Sequence, residues 1–374
     1  MKRILLTLLV SLVLNCSAQT NVFDQNEILG RIKLAADWQL SHPFGFSDLD
    51  WHCGPFYMGL SDLSEVSGDR KYIDAARAIG AKNGWGFGDR SPYHADDHAV
   101  AQIYLKLYQL DKDPAMIAKV RERFDWILAN PSKEGYMMMR ERRGVFGSWY
   151  TIERWGWCDA LYMAPPVWAG LWKVTGEEKY LNYMVQEWKQ TTEWLWDADE
   201  SLYYRDWAFV GARPTPSGKK NFWARGNGWV IAGLAEVLQY LPKDRPEYSY
   251  FENTFKVMAA KIKSIQKENG TWAMCLIDPE FCPQDETSGT AFFTYGLAWG
   301  INNGLLNRAE YEPVVRKGWK ALCERQLENG RLINVQPEGH VATEFDPDST
   351  VIFGMGTFIS AGSEVYKLVN GGQK

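Results

Sequence analysis

One pattern constrains this chain more than any other. Six times over, an apolar segment rich in glycine, alanine and aromatic residues pairs with a more polar one. FYMGLSDLSEVSG leads into DRKYIDAARAIGAKNG, HAVAQIYLKLYQL into KDPAMIAKVRERFDWILANP, and LYMAPPVWAGLWKVTG into EEKYLNYMVQEWKQTTEWLW. GWVIAGLAEVLQYLP and TAFFTYGLAWGINNG are followed in the same way by RPEYSYFENTFKVMAAKIKSIQ and AEYEPVVRKGWKALCERQ. In the second members apolar residues recur at i, i+3 and i+4 with charges between, as in a helix with one face turned to solvent. The units recur at roughly forty to seventy residues, a helical-array period. The last apolar segment, GMGTFISAGSEVYKLV, completes itself with the first polar one, NEILGRIKLAADWQLS. That closure predicts an all-α, (α/α)6 toroid of six inner and six outer helices. An open solenoid, whose end helices would act as caps, is the competing architecture.

The loops that enter the inner helices fall on one rim and carry the unusual residues. They are GFSDLDWHCG, GFGDRSPYHADD, FGSWYTIERWGWCD, the long YYRDWAFVGARPTPSGKKNFWARGNGW, and IDPEFCPQDETSG. Function concentrates in such loops. The chain holds 18 Trp, 18 Tyr and 17 Phe, and every buried indole N–H needs a partner. A groove lined with rings, where sugars stack, is therefore expected beside the core. The net charge of −5 has its signs interspersed, and with no basic stripe nucleic acid is not an expected partner. Lys2 and Arg3, the run ILLTLLVSLVL and the small residues Cys16-Ser17-Ala18 read as a secretory signal peptide over residues 1–18. Residues 19–374 would then form one exported domain, periplasmic if the source is bacterial. Cys16 as a lipid-bearing cysteine is the alternative, and Asn15 fits it poorly. No later stretch is long and apolar enough to span a bilayer. The five remaining cysteines are odd in number and scattered, so no disulfide scaffold is expected. Cys275 and Cys282 are the one candidate pair, with free buried thiols the expected state. Nothing resembles a metal-ligand cluster, and no cofactor is implied.

The segment Arg154-Trp155-Gly156-Trp157-Cys158-Asp159-Ala160-Leu161-Tyr162-Met163-Ala164-Pro165-Pro166 holds the most informative carboxylate. Trp155 and Trp157 can wall a sugar and displace water, which disfavours an ionised Asp159 and suits it to donate a proton. Asp159 as a helix N-cap fits the same residues. Asp96 and Asp97, after His94, open the second inner helix, either as cap and first-turn acid or with one of them facing Asp159. In Trp223-Ala224-Arg225-Gly226-Asn227-Gly228-Trp229, Arg225 suits a carboxylate and Trp223 a sugar face. Its alternative is a loop arginine capping a neighbouring helix. Ser288, in Asp285-Glu286-Thr287-Ser288-Gly289, would reach a sugar hydroxyl or cap its helix. Trp51 and His52 are further rim candidates.

The string W-x-D-x-x-Y-M-A-x-P, met here by Trp157, Asp159, Tyr162, Met163, Ala164 and Pro166, resembles glycoside hydrolase families 88 and 105, the unsaturated uronyl hydrolases. The likeness runs from about Trp51 to the end and is closer to family 105. It implies the six-hairpin glycosidase fold, with Asp159 as general acid and base. It also implies a second carboxylate from the "ADD" string; Asp96 is preferred over Asp97, and both stay open. Substrate contacts implied are Trp157, Trp223, Arg225, Trp229, His94 and Ser288. Two departures stand out: Arg205, in Tyr203-Tyr204-Arg205-Asp206, replaces a histidine of the family, and Trp149 stands where some relatives carry a basic residue. An arginine cannot shuttle protons near neutrality but can clamp a carboxylate or sulfate.

The resemblance implies a substrate with a non-reducing-end 4,5-unsaturated uronic acid, from pectin, ulvan or related polymers. The reaction implied is hydration of the C4–C5 double bond, with no nucleophile or metal. Two other readings fit the residues. One is an inverting glycosidase using Asp159 with Asp96 or Asp97, carboxylates roughly 6.5–9.5 Å apart. The other is a non-catalytic periplasmic sugar-binding protein.

Overall fold

The computed structural model describes residues 21–133 and 153–371. The expected signal peptide, Cys16 and Trp149 lie outside the described residues. Within them are twelve helices of eleven residues or more. In chain order these are α1 Gln25–Ser41, α2 Gly54–Ser67, α3 Arg70–Lys82, α4 Ala101–Asp111, α5 Ala115–Ala129 and α6 Pro165–Thr175. They continue as α7 Glu178–Leu195, α8 Ala224–Tyr240, α9 Pro246–Ser264, α10 Thr287–Asn302, α11 Arg308–Cys323 and α12 Ile352–Gly371. Even-numbered helices form the inner ring and odd-numbered ones the outer. Each inner helix packs on the next, and α12 returns to α2. The ring is closed, and α1 packs on α12 as their unmatched polarity requires.

Burial follows the two patterns. All residues of α8 from Ala224 to Leu238 are buried, whereas α11 buries Tyr311, Val315, Trp319 and Leu322 and turns the charges between them outward. Gly68 and Gly176 end α2 and α6 with φ of +68° and +73°, a backbone that side chains resist. The turn after Gly68 begins α3 with Asp69, whose carboxylate accepts from the Lys71 amide at 3.0 Å.

Two expectations need correcting. The segment LYMAPPVWAGLWKVTG is not one helix but a single turn, Ala160–Met163, followed by α6. Pro165 and Pro166 offer no amide N–H, so they begin a helix rather than continue one. The aromatic excess also goes chiefly to the core. Trp155, Trp168, Trp188, Trp229, Trp272 and Trp319 are all under 2% exposed. The indole N–H groups of Trp272 and Trp319 donate to backbone carbonyls of Ile262 (2.7 Å) and Val22 (2.9 Å). Trp155, expected at the substrate wall, packs edge-on against Tyr183 instead. Cys275 and Cys282 sit in one small cluster with Met274 and Ala342, as free thiols.

The seam that closes the ring depends on close backbone approach. A Cβ built on Gly356 of α12 would lie 2.4 Å from the Phe56 backbone, and one on Gly59 of α2 would lie 2.7 Å from the Gly356 carbonyl. Gly356→Ala should therefore destabilise by about 1–3 kcal/mol. Gly30→Ala, in exposed α1 with nothing within 4 Å of the added carbon, should stabilise by about 0.5–1 kcal/mol. Thermal unfolding of the two variants, moving in opposite directions from the parent, checks the seam.

Candidate active site

Asp159 stands at the entry to the Ala160–Met163 turn, but it does not cap it. Its backbone is already helical (φ −62°, ψ −28°), and the side chain makes no capping bond. Its position is set by strand-like pairing of Trp157 with Asp206 and by the Cys158 amide donating to the Arg205 carbonyl at 2.8 Å. That partner segment is anchored in turn. A short hairpin, Trp196–Asp197 with Leu202–Tyr203, precedes it, and Asn227 of α8 bonds both the N–H and the carbonyl of Tyr203. Local pairing thus delivers Arg205 to Asp159.

Asp159 is buried, with 6% of the residue exposed. Arg205 Nε donates to its Oδ2 at 3.1 Å, while Oδ1 is buried with no hydrogen-bond partner among the described residues. Burial raises its pKa above the usual carboxylate value, and Arg205 and Arg225 pull the other way. Asp96 lines the same cleft. Its pKa is pushed up to about 7, first by burial and further by Asp159 and Asp97, against the pull of Arg90 and Arg205.

Asp97, the other candidate acid, turns away. Its Oδ2 accepts from the backbone amides of Arg90 (2.5 Å) and Ser91 (3.1 Å), so it holds the loop leading to Asp96. His94 does not face the cleft either. Its Nδ1 accepts from the Asp96 amide at 3.3 Å, its ring meets the edge of Trp157, and burial lowers its pKa to about 4.

Three residues expected at the substrate already have partners within the protein. Arg225 is buried, and its fork is occupied: Nη1 donates to the Gln336 carbonyl at 2.5 Å and Nη2 to that of Pro337 at 2.6 Å. Its guanidinium lies over the rings of Trp223 and Phe353. It edges the cleft, yet its bidentate partner is the 336–337 backbone and not a free carboxylate. Ser288 is wholly buried and donates to Glu286 Oε1 at 2.6 Å, so it belongs to the α10 cap. Arg205, expected to meet a substrate anion, pairs with Asp159 and, through Nη1 at 2.8 Å, with Asp206.

Trp157, Trp223 and Trp229 do line the cleft, and Trp51 and Met163 join them. Glu338 and Gly339 complete it. Sequence reasoning did not single these two out, because they lie in an irregular stretch before α12 without periodicity. Arg225, Trp223 (Nε1 to Gln336 Oε1, 3.0 Å) and Glu286 (accepting from the Gln336 amide, 3.1 Å) strap that stretch to the rim. A larger hollow of about 640 Å³ opens elsewhere, at the C-terminal ends of the inner helices. Its Lys367 is paired with Glu65 and Glu364, and it lacks the converging aromatic walls of the cleft.

The model of the family described as Glycosyl Hydrolase Family 88 matches residues 24–369. A curated relative from Formosa agariphila, an unsaturated 3S-rhamnoglycuronyl hydrolase, is 38% identical over 351 residues, 92% of each chain. Two solved structures superpose with a TM-score of 0.81 at 30% identity. One, named glycosyl hydrolase family 88 from Bacteroides vulgatus, is matched over 91% of this chain and 99% of its own. The other, named a polysaccharide lyase, is matched over 92% of this chain and 98% of its own.

Arg225→Lys keeps the charge and loses the fork. Losing one charge-assisted bond, about 1.5–3 kcal/mol, should speed amide exchange across residues 336–343 by about tenfold or more. Hydrogen exchange read by mass spectrometry tests this; unchanged protection would assign the strap to Trp223 and Glu286 alone.

Proposed function

The chain belongs to glycosyl hydrolase family 88 and is a glycoside hydrolase that removes unsaturated uronic acid from oligosaccharides, and we propose that Asp159 delivers the proton that starts the reaction. Asp159 gives its proton to C4 of the C4–C5 double bond, and the positive charge developing at C5 is shared with the ring oxygen. Water adds at C5 and returns a proton to Asp159. The hemiketal opens and expels the neighbouring sugar from C1. One water is consumed, and the carboxyl ends as it began.

A single observation carries this reading. Asp159 is a buried carboxyl whose Oδ2 is held by a guanidinium and whose Oδ1 has no hydrogen-bond partner among the described residues, and it shares its cleft with a second acid pushed up to about 7. Burial keeps the proton on, and Arg205 steadies the carboxylate once the proton has left. Asp96 shares the proton by repulsion: two such acids do not both ionise readily.

The relative's name motivates a finer proposal, that the uronic acid is joined to a rhamnose carrying a 3-sulfate. Arg205 and Arg225 are the two cations among the cleft's described lining residues, beside Asp96, Asp159 and Glu338, and are the groups an anionic substrate would meet. We also propose that the protein is exported, on the strength of residues 1–18.

Loss of ultraviolet absorbance by the conjugated double bond follows the reaction. Asp159→Asn should abolish turnover while leaving affinity within about tenfold; retention of most of kcat would remove Asp159 from the mechanism. A rise in absorbance on intact polymer would point to lyase chemistry instead. The proton must sit on the carboxyl pair, so activity should fall as pH rises through the region of Asp96, about 7. Asp96→Asn removes the neighbouring negative charge, so Asp159 loses its proton sooner. The alkaline limb should move down by about one pH unit and kcat fall by about tenfold or more. A 3-sulfated rhamnose disaccharide should be turned over with a kcat/KM about tenfold or more above its desulfated form; equal values would remove the sulfate from recognition.

A further inference from the structure

His52 is buried beneath the rim and touches the cleft only through its neighbours. Its ring is stacked between Phe46 (centroids 4.1 Å) and Trp51 (3.7 Å), with Phe353 at 5.8 Å, and Trp51 is itself a wall of the cleft. Nδ1 meets Asp50 Oδ1 at 2.5 Å, and Nε2 faces Glu338 Oε2 at 3.9 Å. The second oxygen of Asp50 accepts from Arg90 Nη2 at 3.3 Å, and Arg90 Nη1 donates to Asp96 Oδ2 at 3.3 Å. A continuous line of charge and hydrogen bonds therefore runs from a buried imidazole to the acid opposite Asp159. The proposed reaction gives the imidazole itself no step.

We infer that His52 is a positioning residue for Asp96: by fixing Asp50 it fixes where Arg90 stands, and Arg90 sets how readily Asp96 holds its proton. The inference rests on the reading that Asp96 and Asp159 share the working proton. The charged and titratable groups facing Asp96 are Arg90, Asp97, His94, Asp159 and Arg205. Of these Arg90 alone is tied to Asp50, at the same time reaching Asp97 Oδ1 at 3.4 Å. If the imidazole is lost, Asp50 keeps the His52 backbone amide (3.1 Å) on Oδ1 but loses the short ring bond, and it draws Arg90 away from Asp96. Asp96 then holds its proton to higher pH.

The chemistry of the two ring nitrogens supplies the test. An asparagine amide nitrogen stands close to where Nδ1 stood and can still bond Asp50. A glutamine amide reaches towards the place of Nε2 and leaves Asp50 with the residue-52 backbone amide and Arg90 but no side-chain donor from position 52. His52→Gln should move the alkaline limb of the pH–rate profile up by about half a pH unit or more and lower kcat by about threefold to tenfold, with KM changed less. His52→Asn should restore the limb towards its parent position. Arg90→Gln, at a half-exposed side chain, should move the limb in the same upward direction. Adding His52→Gln to Arg90→Gln should produce no further shift, because both act through one contact. Circular dichroism and thermal unfolding confirm that each variant is folded before its profile is read.

An unmoved limb in folded His52→Gln, or additive shifts in the double variant, would overturn the inference. So would equal loss in the Asn and Gln variants, which marks a merely structural ring. Asp96→Asn separates the two levels. If its limb does not move, the shared-proton reading itself fails. If it moves while His52→Gln does not, only the positioning role of His52 falls.

Discussion

Taking a carboxylate out of water is costly unless a cation and hydrogen-bond donors replace its hydration. Among the described residues Asp159 receives half of that replacement, with Arg205 on one oxygen and no hydrogen-bond partner on the other. The rest of the rim can be understood from this imbalance. Arg205 is prevented from neutralising Asp159 outright because Asp206 takes its Nη1. Arg225 adds positive charge nearby, yet both of its Nη atoms serve backbone carbonyls. The carboxyl is thus steadied without being fixed as an anion, the condition a general acid needs.

The ring makes that arrangement possible. Closing α12 onto α2 brings the N-terminal ends of the inner helices to one mouth, so Asp96, Asp159 and the Trp223–Trp229 segment converge though they are far apart in the chain. The closure tolerates no side chain at Gly59 and Gly356. The aromatic rings of Tyr162, Trp229, Phe292 and Phe353 pack against one another beneath the cleft and give it an apolar floor. Burial in such surroundings is what raises both acids.

The fold was legible because the two helix types differ in composition, and because a polar first helix without a partner matched an apolar last one. The string around Asp159 was legible as the mark of the family, and the neighbouring "ADD" was legible as a pair of acids. Which acid faced the cleft was not, since that depends on the Asp97 carboxylate being taken by the amides of Arg90 and Ser91. That Arg225 and Ser288 already have partners in the protein was not legible for the same kind of reason. Sequence shows a donor, but only the fold shows that a carbonyl or a cap has already claimed it. Glu338 had no signal at all, as its stretch is irregular and gains its place from contacts with residues fifty or more positions away.

The account stands on Asp159 holding its proton in the folded protein. Carbon NMR of the protein labelled at aspartate carboxyls, with the Asp159 resonance identified by its loss in Asp159→Asn, measures this directly. The predicted result is a titration midpoint clearly above the ordinary aspartate value of about 3.9, moving down when Asp96 is replaced by Asn. A midpoint at or below the ordinary value, unaffected by Asp96, would show Asp159 to be a plain ion-pair partner of Arg205 and contradict the account.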